Sequence, residues 1–121
     1  MIPALDVDIA IYPDRVQVVR RGSDRFIDQP AKFPFSTPTS VVAHPRHLED
    51  TMVRAIRQLL AEGGFSLEFP IAHVVRCEGC LREGDLAVVE HALREAGMAD
   101  VVFELDRDIG QSIADSENIT R

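Results

Sequence analysis

Two cysteines stand three apart in the stretch VVRCEGCLREGD, residues 74–85, as Cys77-Glu78-Gly79-Cys80. A pair at this spacing does one of three things: it packs as ordinary thiols, cycles between dithiol and disulfide, or supplies half of a metal site. A structural zinc site is four-coordinate, so it would need two further ligands, and His73 is the nearest candidate. A thiol beside a helix N-terminus ionises more easily, which keeps a redox role open for Cys80. The plainest reading is a structural pair: a partly buried Cys77 at a strand end and a helix-proximal Cys80 in a reducing cytoplasm.

Carboxylates form a second candidate group. Asp6 and Asp8 share one face of a strand, and Glu104 or Asp106 ends a later one. Three such acids brought together would hold a divalent metal for hydrolysis, although an exposed strand face is the simpler home for Asp6 and Asp8. Arg20, Arg21 and Arg25 make a basic spot on an acidic chain, which reads as a solvated hairpin end open to an acidic partner. Phe33 and Phe35 flank Pro34 and either close the core or form an exposed contact, with core closure expected. His44-Pro45-Arg46-His47 reads as a helix entry rather than a metal or phosphate contact.

These residues need elements to hold them. LDVDIAIY, residues 5–12, alternates strictly, with Leu5, Val7, Ile9 and Ile11 on one face, as in a half-buried strand. Pro13-Asp14 and Gly22-Ser23-Asp24 are turns, so RVQVVRR and RFID complete a three-stranded antiparallel meander. Residues 29–46 carry four prolines and four Ser or Thr, which predicts a connector with a short extended piece at Val41-Val42-Ala43. From His47 to Glu62 the period becomes helical through Leu48, Met52, Ile56, Leu59 and Leu60, and Gly63-Gly64 end it. IAHVVR reads as a strand buried on both faces. A helix from Arg82 to Ala96 follows, then the strand VVFEL and a last helix with Asp106 and Asp108 near its start.

The expected order is β-β-β-α-β-α-β-α: an α/β domain with a mixed five-stranded sheet over residues 1–114 and a polar tail at 115–121. A chain of 121 residues suits one domain. Its net charge of −7 repels phosphate backbones, so no nucleic-acid partner is expected. Apolar runs fall short of a membrane span, and Met1-Ile2-Pro3-Ala4-Leu5 lacks a charged signal-peptide start; a cytoplasmic protein is expected.

The order of segments is that of the ribonuclease H-like fold, which also builds each half of actin-like ATPases. VVEHALREAGMADVVFEL resembles the bacterial actin MreB, where a helix ends in a similar REAG stretch and enters a strand. DIAIYPDRVQVVRRGSDRFIDQPA resembles that family's opening strands, and TSVVAHPRHLEDTMVRAIRQLL its next helix. The resemblance covers the chain to about residue 114. It implies the first subdomain of a rod-shape-determining, actin-like protein, with the connector at 30–46 replacing an insertion subdomain.

The resemblance also marks what has changed. The family's glycine-bearing phosphate loop is replaced by Tyr12-Pro13-Asp14, about three residues shorter, and proline has no N–H to offer a phosphate. The family's acidic pair before a proline becomes Leu105-Asp106-Arg107, which leaves Asp106 as a helix-terminus acid. The cysteine pair falls on a strand-to-helix turn that exists for other reasons. The resemblance therefore implies a non-catalytic, cofactor-free interaction module that self-associates or binds a cytoskeletal partner. A thiol or zinc protein and a metal-dependent hydrolase are the alternatives.

Overall fold

The computed structural model describes residues 4–61, 63, 66–80 and 82–105, and the account below concerns those. The elements run β1 (Ala4–Tyr12), β2 (Arg15–Arg20), β3 (Phe26–Pro30), α1 (Pro45–Leu60), β4 (Ser66–Cys77), α2 (Glu83–Glu95) and β5 (Asp100–Phe103). They form a mixed α/β domain with one five-stranded sheet in the order β3-β2-β1-β4-β5. β2 is antiparallel to both β1 and β3, and β4 is parallel to both β1 and β5. The expected order ended on a helix, whereas the described order ends on β5; residues 106–121, including Asp106, lie outside the described residues.

Alternation along β1 decides which face is core. Leu5, Val7, Ile9 and Ile11 are buried with Val16 and Val18 of β2, Ile27 of β3, and Ala72 and Val74 of β4. Leu48, Met52, Ala55, Ile56 and Leu59 of α1 and Val89, Ala92 and Leu93 of α2 join the same cluster. Both helices therefore pack on one face of the sheet, and the even-numbered side chains of β1 point away from them.

α1 starts two residues earlier than its periodicity suggested. Pro45 occupies the first turn, where its missing N–H costs nothing, and His44 is the capping residue. The N–H of His47 and that of Leu48 both donate to the His44 carbonyl at 3.1 Å. The buried Thr51 hydroxyl donates back to the His47 carbonyl at 2.9 Å, so no polar atom is stranded there. At the start of α2 the Asp85 carboxylate accepts the Arg82 N–H at 3.3 Å.

Two readings of the chain need correction. Val41-Val42-Ala43 forms no strand; Thr37 and Ser40 bond reciprocally through their backbones, and the tight turn sends Val41 and Val42 into the core. β4 is not buried on both faces. Ala72 and Val74 are buried while Ile71 and His73 are partly open, because the helices cover only one side. A register shift opposite Ile9 and Ala10 places Val75 between the two regular stretches of β4.

Candidate functional site

In an open α/β sheet, ligands collect beyond the carboxyl ends of the parallel strands. Here that edge is the end of β1 at Tyr12 and of β4 at Cys77, which are neighbours through the Ile11–Cys77 pairing. Tyr12 is half-buried and pairs with Arg15 across a two-residue turn of Pro13 and Asp14. Asp14 adopts φ 57°, a left-handed conformation that aspartate tolerates better than most residues.

The Asp14 side chain faces its own chain. Its Oδ1 accepts the backbone N–H of Phe35 and that of Ser36, each at 2.8 Å. In return the Asp14 N–H donates to Ser36 Oγ at 3.1 Å, and that hydroxyl donates to the Val41 carbonyl at 2.5 Å. The Asp14 carbonyl accepts the Ala31 N–H at 2.9 Å. One turn residue thus pins the first half of the connector at Ala31, Phe35 and Ser36, and Ser36 relays the hold to Val41.

A cleft of about 230 Å³ remains at this edge, lined by Pro13, Thr37, Pro38, Thr39, Ser40, Val41, Glu78 and Gly79. Among the described residues, its hydroxyls belong to the connector and its one charged group, Glu78, is an acid. Such a lining offers no cationic partner to a phosphate.

The two aromatics of the connector divide the work. Phe35 is fully buried in the core cluster, as core closure predicts, whereas Phe33 is 45% exposed. The Phe33 ring lies 5.7 Å from that of His47, and the Lys32 ammonium sits 5.5 Å from its centroid. His47 Nδ1 is 2.9 Å from the Pro34 carbonyl, which fixes the helix entry expected from the HPRH stretch.

The cysteine turn follows β4 directly. Cys77 and Cys80 are disulfide-bonded with their Cα atoms 5.4 Å apart, rather than standing as separate thiols. Bonded sulfurs are not thiolates, so this state supplies no zinc ligands. His73 precedes Cys77 by four strand residues, roughly 13 Å of strand rise, and its ring is engaged elsewhere.

That engagement is a polar network on the sheet face turned away from the helices. His73 Nε2 lies 2.9 Å from Asp6 Oδ1, and Nδ1 lies 3.2 Å from Glu104 Oε2. Arg21 donates through Nε to Asp8 Oδ1 at 2.6 Å and through Nη2 to Glu104 Oε1 at 2.5 Å. Burial alone would raise the Glu104 carboxyl, but hydrogen bonds from Arg21 and His73 and their charges outweigh it and hold it below its ordinary range. Burial likewise opposes the charge on Arg21, and Asp8 and Glu104 reverse that effect and raise it.

Asp6 and Asp8 share one face, as the strand period implied, and Glu104 meets them there through His73 and Arg21, but a guanidinium sits where a metal would have to bridge Asp8 and Glu104. Among the described residues no group of three or more His, Cys, Asp and Glu side chains is placed to hold a metal ion. Arg21 was expected at a solvated hairpin end; it is instead the cation that joins Asp8 of β1 to Glu104, the residue after β5. Strand alternation carries past Arg20 and would have placed Arg21 on the Asp8 face. Arg20 is partly buried and engaged with neighbouring groups.

No helix among the described residues is long and apolar enough to cross a membrane. No protein-family model, curated protein or solved structure matches the chain significantly.

Proposed function

We propose that this chain is a non-catalytic, MreB-related interaction module: an actin-like subdomain of the ribonuclease H-like fold that has lost its phosphate loop. The observation that carries the reading is the Asp14 clamp. At the strand edge where a nucleotide phosphate would approach, the turn is two residues long and its acid is bonded to Phe35 and Ser36. The connector that stands in for an insertion subdomain borders this edge, where it leaves a cleft of about 230 Å³ without a cationic group among its described lining residues.

The layout supports the same reading. A meander whose first strand is central, joined in parallel to the strand after the first helix, is what a reduced actin-like subdomain would retain. The sheet ends in β3 on one side and β5 on the other. Phe26 and Phe69 are 52% and 56% exposed, and strand alternation sets Phe26 on the face that the helices leave open. A cytoplasmic module working through that face, as a homo-oligomer or with a cytoskeletal or cell-shape partner, needs neither cofactor nor nucleic acid.

The hydrolase alternative is disfavoured by Arg21, which neutralises two of the three acids it would use. Light scattering over a wide concentration range tests self-association. The reading predicts a mass rising above the 13.5 kDa of one chain and a return to it when Phe26 and Phe69 are changed to serine. A constant 13.5 kDa mass would rule out self-association and leave only the form of the reading that uses a different partner.

A further inference from the structure

The bond between Cys77 and Cys80 closes a loop of sequence separation three, at the point where β4 ends and the chain turns toward α2. A disulfide stabilises a fold by restricting the unfolded chain, and the gain grows with the length of the loop it closes. This bond closes one of the shortest loops available, so holding the fold together is the task it serves least.

The turn is also held without it. The Glu78 N–H donates to the Ile11 carbonyl at 2.8 Å, tying the turn to β1. The Cys80 N–H donates to the Cys77 carbonyl at 3.2 Å, and Gly79 takes φ +87°, which a residue with a side chain adopts only under strain. The backbone that presents the two sulfurs is therefore set by hydrogen bonds and a glycine. Opening the bond leaves those in place.

Access is the remaining requirement. Cys77 and Cys80 pack against the edge of the core but are only partly buried, and Glu78 and Gly79 between them are exposed. Both cysteines keep part of their surface open to solvent, which gives a small thiol a route to the pair.

We infer that Cys77 and Cys80 are a reversible dithiol–disulfide couple that exchanges with small-molecule thiols of the glutathione class. A glutathione thiolate attacks one sulfur, the intramolecular bond breaks, and a mixed disulfide forms as the other cysteine leaves as a thiolate. A second glutathione thiolate attacks the mixed disulfide and releases oxidised glutathione. Two electrons pass from two glutathione molecules to the protein, and both cysteines end as protonated thiols. The reverse sequence restores the bond. This couple goes beyond the interaction role proposed above, and neither depends on the other.

The test equilibrates the full chain in buffers of graded reduced-to-oxidised glutathione ratio, quenches with acid, labels free thiols with N-ethylmaleimide and reads intact mass. The couple predicts that molecules pass from no label to two, with few carrying one, and that reoxidation retraces the curve. Circular dichroism should stay the same throughout. Cys80→Ser should instead take up a single glutathione at Cys77 under oxidising conditions. The inference is overturned by two labels at every ratio, by stable glutathione adducts or linked dimers in the unsubstituted chain, or by a bond reducible only in denaturant.

Discussion

The Asp14 carboxylate accepts the backbone N–H of Phe35 at 2.8 Å, across 21 residues of sequence. A hairpin turn has thereby become the anchor of a connector, and the same oxygen also holds Ser36. Charge-assisted hydrogen bonds of this kind are worth about 1.5–3 kcal/mol, and removing the acceptor leaves both donors to find water.

Asp14→Ala should therefore lower stability by about 2–3 kcal/mol in urea denaturation, the lost acceptor and the φ 57° backbone both contributing. Asp14→Asn keeps an acceptor and tolerates the backbone, so it should lose less than half as much. Equal losses for the two would show that the hydrogen bonds are not what holds the connector.

Phe33 and Phe35 should separate cleanly. Phe35→Ala opens a cavity in the core and should cost about 3–5 kcal/mol. Phe33→Ala removes a ring that is 45% exposed and should change stability by roughly 0.5 kcal/mol or less. Thermal denaturation of the two variants reads the contrast.

The polar network predicts an acid limb in the stability curve. Glu104 has its carboxyl lowered below the ordinary value of 4.5 in the folded chain. Its contribution is then fully present above that unfolded value and disappears as pH falls through the lower folded one. Glu104→Gln should flatten this limb, while the raised Arg21 adds no pH dependence near neutrality because its contribution is fully present there and is lost only in strong alkali. Arg21→Ala should cost about 2 kcal/mol, since it removes the shared partner of Asp8 and Glu104. A flat curve between neutral pH and pH 3 in the unsubstituted chain would contradict the network.

Reduction of the Cys77–Cys80 bond should lower stability only slightly. Loop-closure entropy for so short a ring amounts to about 2 kcal/mol at most, and the turn keeps its bonds to Ile11 and Cys77. A drop several times larger under a reducing agent would show a structural staple instead.

Much of the scaffold was legible because local periodicity and tertiary burial agree. The Leu5-to-Ile11 alternation and the Leu48-to-Leu59 spacing each point to a single buried face, and the structure buries those faces. Where the residues of a segment obey no period, reading failed. Val41 and Val42 resemble a strand in composition, yet they are drawn into the core by a turn that the Thr37–Ser40 pairing closes. The network was half legible. Asp6 and Asp8 can be placed on one face from the strand period, but Glu104 and the shared cation meet them only through the parallel pairing that sets β5 beside β4. The disulfide depends on a 5.4 Å approach that spacing alone permits but does not require.

The proposal that this chain is a reduced module without a phosphate loop rests on the turn that Asp14 ties to the connector. Isothermal titration of the chain with ATP in the presence of Mg²⁺ tests it most directly. The account predicts no saturable heat beyond dilution, for the unsubstituted chain and equally for Cys80→Ser. A saturable isotherm with micromolar affinity would contradict it and return the chain to the nucleotide-binding proteins.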